Sequence, residues 1–397
     1  MKLLGIETSC DETAAAVVED GKRLLSNVVA SQIDIHAQYG GVVPEVAARS
    51  HVEVINPVIN QALEGAGCTW DDIDGIAVTY APGLIGSLLI GTLAARTLAL
   101  IKNKPLYPVH HVEAHVYANF IVEQASRSDT VQAKHLQPEF VEAPGPSPEP
   151  GAKPFGANSS RKGDFQLPTK QPDFPLLALI VSGGHTQLVL FRGHGDYELI
   201  GRTQDDAVGE AFDKVAKIIG LPYPGGPSIA QAALLGDDRK YALPKAKLAN
   251  SYDFSFSGLK TAVLRAVQRE VGVDIAFPSY ELAGLLSDKQ RYDFAASFQQ
   301  TAIETLVDTT ERAFHDYAPK SVVIAGGVAA SQALRAQLAS RLTIPIEYAP
   351  MALCTDNAAM IAALGYYMAH EVPATDPRRL EVIPSLSMTE TAWHTVV

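Results

Sequence analysis

Short apolar runs, each ended by a polar or glycine-containing turn, dominate the first part of the chain. Such runs are typical of buried strands, and they predict five, at residues 3–6, 13–18, 24–31, 73–79 and 106–109. In two longer stretches, residues 42–63 and 84–101, apolar positions recur every three or four residues and predict helices. A shorter helix is expected to begin where the fifth strand ends.

The same alternation returns at residue 176. It predicts strands at residues 176–181, 186–191, 197–202, 321–325 and 344–348, and helices at 209–219, 282–317, 329–342 and 354–370, with one more opening at Ser255. Glycines and prolines predict a loop over residues 221–228. Each half starts with two strands joined by a small polar turn, and each later has a strand, a glycine turn and a helix. This weak repeat predicts two similar α/β lobes with a ligand cleft between them.

Residues 125–175 interrupt this pattern with nine prolines and little apolar periodicity. Its densest proline run, residues 144–151, excludes a helix or a central strand. We expect a surface excursion, extended or disordered and without chemistry. An insertion of this length costs the fold little free energy if its two ends lie close together, because loop-closure entropy rises only logarithmically with length. The expected organisation is a first lobe at residues 1–124, this segment, and a second lobe at residues 176–397, whose last helix could pack back on the first.

Composition narrows the class of protein. The 397 residues are 47% hydrophobic and 19% charged, which is typical of a globular enzyme of about two domains. A net charge of -12 argues against a broad nucleic-acid coat, though not against a local basic patch. Three cysteines form no disulfide framework and the first residues lack a signal-peptide pattern, so a cytoplasmic location is expected. Gly86, Gly91 and Arg96 interrupt the most apolar helix, which we interpret as a core helix and not a membrane span.

Two histidines, His111 and His115, are four residues apart at the start of the short helix. That spacing places both imidazoles on one helix face, where they can share a transition-metal ion. The alternative is two ordinary histidines at the edge of a core, since most pairs at helical spacing are simply neighbours. Two nitrogens also leave a metal under-ligated, so a metal site needs a third ligand from elsewhere.

Two glycine turns are further candidates for ligand contact. Ser182, Gly183 and Gly184 would let a ligand approach the backbone closely, although an ordinary hairpin turn has the same composition. The turn at Gly326 and Gly327 lies between a strand and a helix, where nucleotides often contact a helix N-terminus.

Four carboxylates each have more than one interpretation. Asp356 could cap the last helix or be the missing metal ligand. Asp213 could bind ribose hydroxyls or be a solvated helix charge. Asp11 and Glu12 lie in the first hairpin turn, where they could bind a second cation, orient a substrate amine, or only form the turn.

Ten motifs, which span nearly the whole chain outside residues 125–175, occur together and in the same order in one known family. By these motifs the chain resembles the TsaD family, the universal tRNA threonylcarbamoyladenosine transferases once classed as glycoprotein endopeptidases. The motifs occupy residues 5–13, 40–45 with 48–49, 81–84, 110–115, 181–186, 209–216, 223–227, 255–261, 325–328 and 354–357.

The resemblance implies the actin/Hsp70/sugar-kinase (ASKHA) fold, two duplicated α/β lobes around a nucleotide cleft. It implies one bound metal ion, iron or zinc, held by His111, His115 and Asp356. It also implies that a set of residues in the second lobe contacts the nucleotide-bearing substrate: Ile180, Val181, Ser182, Gly183, Gly184, Asp213 and Gly226. The family usually has asparagine at the next contact, where this chain has Ser331, which can still hydrogen-bond but is shorter and has one polar group fewer.

The implied reaction joins the threonylcarbamoyl group of threonylcarbamoyl-adenylate to the exocyclic amine of adenosine 37, directly 3′ of the anticodon, in tRNAs that read codons beginning with A. AMP is released. We assign Asp11 or Glu12 to position or deprotonate the attacking amine. The implied partners are tRNA, a paralogous TsaB-like subunit on the N-terminal half, a small P-loop ATPase like TsaE, and a separate synthase that makes the adenylate. A local excess of basic residues could face tRNA phosphates: Arg239, Lys240, Lys245, Lys247, Lys260, Arg265 and Arg269.

Three rival functions are weighed against this one. A zinc metalloprotease has its base directly after the first histidine, whereas Glu113 follows His111 by two residues, about 200° around the helix, and points away from the metal. An ATP-dependent kinase or ATPase of the same fold does not need the histidine pair. A non-catalytic scaffold would resemble the metal-free paralogues, and retention of all three metal ligands argues against it.

Overall fold

The computed structural model describes residues 1–123 and 167–390, together with Trp393, and it contains two five-stranded sheets. Residues 124–166, which make up most of the predicted proline-rich excursion, lie outside the described residues.

The first sheet uses the five strands predicted in the first half of the sequence. They are β1 (Lys2–Glu7), β2 (Glu12–Glu19), β3 (Arg23–Ser31), β4 (Gly75–Ala81) and β5 (Leu106–His110), in the order β3-β2-β1-β4-β5. β1 pairs antiparallel with β2 and parallel with β4, and β5 extends the parallel side. The central strands are buried on both faces, which is why they are almost continuously apolar.

Four helices follow these strands: α1 (Ile33–Ala37), α2 (Pro44–Gly65), α3 (Ile85–Lys102) and α4 (His111–Tyr117). Proline occupies the first position of α2, where its missing N–H costs nothing. α2 and α3 pack against one face of the first sheet and against each other. The predicted short helix, α4, begins directly where β5 ends.

The second sheet repeats the first. Its strands are β6 (Leu176–Val181), β7 (Thr186–Gly193), β8 (Asp196–Arg202), β9 (Ser321–Ala325) and β10 (Ile346–Tyr348), in the order β10-β9-β6-β7-β8. The first three strands are antiparallel and the last two join in parallel, as in the first sheet. The identical strand order confirms the predicted internal repeat and the ASKHA fold of two duplicated α/β lobes.

Among the described residues of the second half, the α-helices are α5 (Val208–Ile219), α6 (Gly225–Ala233), α7 (Ser257–Glu270), α8 (Asp288–Tyr317), α9 (Gln332–Arg341), α10 (Met351–Cys354) and α11 (Ala358–Glu371). α11 returns to the first half and packs on β1, β2 and β4, opposite α2 and α3. Gly5 and Gly365 permit this contact: a Cβ on Gly5 would lie 2.2 Å from the Ala358 carbonyl, and one on Gly365 would lie 2.5 Å from the Ala77 Cβ.

Two predictions of secondary structure were wrong in detail. The loop predicted over residues 221–228 instead leads into α6, because Gly225 and Pro227 occupy the first turn, where backbone N–H groups need no helical partner. The helix predicted over residues 354–370 is divided into α10 and α11, with Thr355, Asp356 and Asn357 between them.

One face of α3 is apolar and exposed. Leu88, Ala95 and Ala99 are buried against the sheet, as expected of a core helix. The opposite face exposes 41–71% of five large side chains, Ile85, Leu89, Leu93, Leu100 and Ile101. Only 33% of this helix is buried, and it is apolar and long enough, by length and composition alone, to cross a membrane. A single such helix is weak evidence of a span, since helices that pack in soluble proteins meet the same criterion.

The two ends that flank residues 124–166 lie side by side. The Glu123 N–H donates to the Pro168 carbonyl over 2.8 Å. Residues 167–175 then run without helix or strand across both halves, where the Gln171 amide donates to the Phe120 carbonyl and to the Tyr367 hydroxyl. The chain therefore leaves and re-enters the fold at one place.

Candidate metal centre and substrate cleft

The three predicted metal ligands meet at the end of β5. His111 and His115 lie on successive turns of α4, and Asp356 lies in the link before α11. Asp356 Oδ1 is 3.5 Å from His111 Nε2 and 3.3 Å from His115 Nε2. One ligand atom from each residue lies within 4.8 Å of the others, so the three can hold a single ion.

The ring of His115 is buried and lacks a hydrogen-bond partner among the described residues. Its side chain is 1% exposed, and neither nitrogen makes a hydrogen bond, since the contact with Asp356 lacks hydrogen-bond geometry. A buried imidazole without a partner is costly. A metal ion bound to Nε2 would satisfy it, so the donor set of two imidazoles and one carboxylate fits a transition metal.

Glu7, at the end of β1, orients His111. His111 Nδ1 donates to Glu7 Oε2 over 3.0 Å, which leaves Nε2 to face Asp356 and His115. The carboxylate also accepts the Thr79 hydroxyl and the Ser9 N–H, each over 2.5 Å, so it is rigidly held. A carboxylate behind a metal histidine is a common supporting contact. The sequence analysis missed Glu7, although an acidic residue that ends an otherwise apolar strand was a usable signal.

The neighbouring Asn357, and not Asp356, caps α11. Its side-chain oxygen accepts the Met360 N–H over 3.1 Å, and its amide donates to the carbonyls of Leu353 and Thr355. The alternative interpretation of Asp356 as a helix cap was therefore wrong, and its carboxylate is available to the two histidines.

The charges of the centre are strongly coupled. Burial opposes a charged imidazole, but the carboxylates of Asp356 and Glu7 outweigh it and raise the pKa of His111 to about 9. Burial also acts against ionised Asp356, yet His111 and His115 hold the pKa of that carboxyl well below its usual range. Two carboxylates thus face two imidazoles in a buried space, an arrangement that favours a cation at its centre.

Glu113 faces away from the centre, as the helical angle predicts. Trp393 Nε1 donates to its Oε1 over 2.7 Å, and the Tyr197 hydroxyl lies 3.3 Å from its Oε2. Burial raises the pKa of Glu113 to about 8, against the effect of these two hydrogen bonds. It cannot serve as a base at the metal, which removes the geometric basis for a metalloprotease.

The predicted glycine turn lies next to the centre, in the second half. Ser182 and His185 close it by two hydrogen bonds, from the Ser182 N–H to the His185 carbonyl and from the His185 N–H to Ser182 Oγ. A Cβ on Gly183 or Gly184 would meet nothing within 4 Å, so their backbone faces open space. Burial, with His111 and His115 nearby, lowers the pKa of His185 to about 4. The turn can therefore present backbone N–H groups beside the metal ligands.

Two other glycines allow this close assembly. A Cβ on Gly326, which has φ +90°, would lie 2.5 Å from the Val181 carbonyl, and one on Gly209 would lie 2.6 Å from the Ser182 carbonyl. Ile180 and Val181 are fully buried in β6, so neither presents surface to a substrate, unlike Gly183 and Gly184 in the following turn. The turns after β6 and β9 and the N-terminus of α5 therefore converge.

Carboxylates from the two halves lie within electrostatic reach of one another. Burial, Asp11 and Asp356 raise the pKa of Glu12 well above its ordinary value. Burial raises the pKa of Asp213 as well, although its Oδ1 accepts the Gly225 N–H over 2.6 Å, and Asp11 contributes to the shift. Asp11 and Glu12 therefore lie within electrostatic reach of both the centre and Asp213.

The remaining predicted residues occupy helix starts. Gly226 is the second residue of α6, with open space where a Cβ would be. Ser331 caps α9, where its hydroxyl accepts the Leu334 N–H over 3.3 Å. That hydroxyl is thus already engaged with the helix.

Comparisons with known proteins agree with one another. The family model TsaD, described as tRNA N6-adenosine threonylcarbamoyltransferase, matches residues 23–135 and 162–363. The tRNA N6-adenosine threonylcarbamoyltransferase of Thermomicrobium roseum is 48% identical over 376 residues, which cover 93% of this chain and 92% of that protein. The Bacillus subtilis protein of the same name is 47% identical over 372 residues, which cover 92% of this chain and 90% of its own length.

A solved structure adds support for the fold alone. Full-length HypF, in its phosphate- and nucleotide-bound form, superimposes with a TM-score of 0.51 at 10% sequence identity, covering 94% of this chain and 47% of the HypF chain.

Proposed function

The chain belongs to the TsaD family, the tRNA N6-adenosine threonylcarbamoyltransferases, and from this premise we propose how its cleft performs the transfer. The donor is threonylcarbamoyl-adenylate, and the acceptor is the exocyclic amine of adenosine 37 in tRNAs that read codons beginning with A. The observation that carries the proposal is the meeting of His111, His115 and Asp356 beside the open turn at Ser182 to His185.

His111, His115 and Asp356 would hold one iron or zinc ion. When bound, the ion supplies Lewis-acid polarisation and a template for the oxygens of the adenylate. Glu7 holds the His111 ring so that Nε2 is presented to the ion.

The second half would bind the adenylate through its backbone. The N–H groups of Gly183 and Gly184, which border open space, would donate to a phosphate or carbamoyl oxygen, while the Ser182 N–H is already bonded to the His185 carbonyl. Asp213, whose Oδ1 accepts the Gly225 N–H, would accept ribose hydroxyls with its other carboxylate oxygen. Gly226 at the start of α6 and Ser331 at the start of α9 would make the remaining contacts with the adenylate. The Ser331 contact would be the weaker one, because its hydroxyl already accepts the Leu334 N–H.

The transfer needs no covalent intermediate with the enzyme. The amine nitrogen of adenosine forms a bond to the carbamoyl carbon, and the bond from that carbon to the phosphate oxygen breaks. AMP leaves with the electron pair of the broken bond. The amine proton passes to Asp11 or Glu12; burial and the neighbouring carboxylates Asp11 and Asp356 raise the pKa of Glu12 well above its ordinary value.

The tRNA would approach over the second half. Of the seven basic residues singled out in the sequence, Lys245 is neutralised by Glu304 and Asp308, and Lys260 by Asp206. Lys240, Lys247 and Arg269 form no ion pair with the described residues, and they remain available to phosphates.

The partners follow from the family. The exposed face of α3, with Ile85, Leu89 and Leu93 one turn apart, is the surface that a paralogous TsaB-like subunit would cover. A TsaE-like P-loop ATPase and a synthase for the adenylate would complete the system, in the cytoplasm where tRNA is modified.

One reconstituted assay tests the proposal. The chain and its partner subunits are incubated with threonylcarbamoyl-adenylate and unmodified tRNA, and the digested tRNA is analysed for threonylcarbamoyladenosine. The double variant His111→Ala, His115→Ala is compared with a matched control, His315→Ala, His370→Ala, which removes two exposed histidines. Product from wild type and control, but not from the metal-site variant, is the expected result.

Two other results would contradict it. Product from all three proteins would remove the metal from the reaction. No product from any of them, with partners shown to be active, would favour a scaffold subunit of the same fold.

A further inference from the structure

After α11 the chain forms a C-terminal strap, which we define as residues 375–390 together with Trp393. The strap first pairs with the edge of the first sheet, where the Thr375 N–H donates to the Leu106 carbonyl over 2.9 Å. The Arg96 guanidinium of α3 then donates to the carbonyls of Pro377 and Arg378 over 2.5 and 3.0 Å. These contacts anchor the strap on the first half of the molecule.

The strap continues along the ends of the strands that lead into the candidate centre. The Ile383 N–H donates to the Tyr80 carbonyl at the end of β4, and the Gly83 N–H donates to the Pro384 carbonyl, over 3.0 and 3.1 Å. His110 Nε2, at the end of β5, donates to the Leu386 carbonyl over 3.1 Å. Each of these bonds joins the strap to the segment that directly precedes a helix.

His110 transmits the contact to α4. Its Nδ1 accepts the Glu113 N–H over 3.4 Å, which caps the helix, while Nε2 bonds to the strap. A neutral imidazole with one donating and one accepting nitrogen is required for both bonds. The ring is 2% exposed, so water does not compete for either one.

Glu113 provides a second attachment of the strap to α4. Trp393 Nε1 donates to its carboxylate over 2.7 Å, and the Tyr197 hydroxyl of β8 reaches both Glu113 and the Met388 carbonyl, over 3.3 and 2.6 Å. Met388 itself is 1% exposed. The strap therefore joins α4 to the second half of the molecule, on the helix face opposite to His111 and His115.

We propose that the C-terminal strap positions the metal helix, with His110, Glu113, Tyr197 and Trp393 as positioning residues. α4 has only seven residues and cannot hold its own direction, because so short a helix is unstable alone. Two attachments on its far side fix the rotation that points both imidazoles at Asp356. This inference rests on the metal site proposed above, and it concerns residues that touch neither metal nor substrate.

Two conservative variants each remove one hydrogen-bonding group of the strap attachment. Trp393→Phe keeps a ring over Gly195 but loses the N–H to Glu113, and Tyr197→Phe loses the hydroxyl shared by Glu113 and Met388. The matched controls are Trp70→Phe, which changes the other tryptophan, and Tyr252→Phe, which removes a hydroxyl bonded to Asp316 far from α4.

Zinc affinity of the full-length protein, measured by competition with a chelator, is the first readout. We expect the zinc affinity of both strap variants to fall at least about fivefold, near the lower end of the effects seen for residues that support a metal ligand. The zinc affinity of both controls should stay within twofold of wild type. Urea unfolding of each variant separates this change from a loss of global stability. Affinities within twofold of wild type in both strap variants would overturn the proposal.

Hydrogen exchange of the zinc-free protein is the second readout, and it separates the two proposals. We expect amides of α4 to exchange faster in both strap variants than in the controls. If the wild-type protein binds no zinc, the proposed metal site is rejected. Faster exchange of the α4 amides in the strap variants would still support the positioning role of the strap. Unchanged exchange in α4 would reject the strap whatever the zinc result.

Discussion

Glu7 acts at the scale of a single hydrogen bond, since it determines which nitrogen of His111 is free. We expect Glu7→Gln to lower zinc affinity about 10–100-fold, because an amide cannot accept from the His111, Ser9 and Thr79 donors together. Chelator competition measures the change. Thr79→Val is the control: it removes another bond to the same carboxylate but leaves that of His111, and should cost stability with little change in affinity. Equal affinity losses in the two variants would contradict this account.

Asp356 and Asn357 are neighbours with separate tasks. We expect Asp356→Asn to lower zinc affinity more than about 100-fold, since loss of a ligand exceeds the effect of a supporting contact. Asn357→Ala should instead cost about 1–2 kcal/mol of unfolding free energy through loss of the α11 cap, with a smaller change in affinity. Zinc competition and urea unfolding, applied to both variants, test the division. The reverse pattern would show that Asn357 is the ligand-bearing residue.

The two histidines were found from the sequence because four-residue spacing places both side chains on one face of a helix, although that spacing alone did not distinguish a metal pair from ordinary neighbours. Spacing alone gave no third ligand: Asp356 was equally a cap until the family resemblance assigned it, and the structure gave the cap to Asn357. Glu7 is 104 residues from His111 in sequence, so only the pairing of β1 with β4 and of β4 with β5 brings it close.

At the scale of elements, the fit of α11 on β1 sets the place of Asp356. We expect Gly5→Ala to lower both stability, by about 1–3 kcal/mol, and zinc affinity, because its Cβ would push the first turn of α11 away from the sheet. Gly193→Ala, with open space at its Cβ, is the matched control. Urea unfolding and chelator competition provide both measurements. Lost stability with unchanged affinity would show that Asp356 is placed independently of α11.

The ten strands were predictable to within two residues of most ends, since buried apolar runs and their turns are local signals. The helix α6 was not predictable, because its first turn contains Gly225, Gly226 and Pro227. Such a glycine–proline sequence is typical of a loop as well as of a helix start. The return of α11 to the first sheet was expected as a possibility, but the small residues that permit it, such as Gly365 and Ala77, meet only after folding.

At the scale of the whole molecule, the strands of each half repeat one topology, while the proline-rich segment leaves and returns at one point. We expect replacement of residues 124–166 by a four-residue glycine–serine loop to keep the fold, because Glu123 and Pro168 already touch. Unfolding free energy should rise by up to about 2 kcal/mol from the shorter loop. Urea unfolding measures it, and the tRNA assay reports whether the segment contributes to activity. A fall in stability would show that the segment packs on the fold.

The two halves could be predicted from the repeat, but their attachments to each other could not. α4 contacts strands of both sheets, and the C-terminal strap adds bonds from one half to the other. Such contacts join residues hundreds of positions apart, for which a single sequence contains no periodic signal.

The first sheet takes its covering helix from the far end of the chain, and this order affects synthesis. His111 and His115 leave the ribosome long before Asp356 and α11 are translated. A nascent chain therefore has the histidine pair without its carboxylate, and it cannot yet hold an ion with all three ligands. Binding of an ion by all three residues would therefore require that Asp356 has been translated and that α11 has packed on the first sheet.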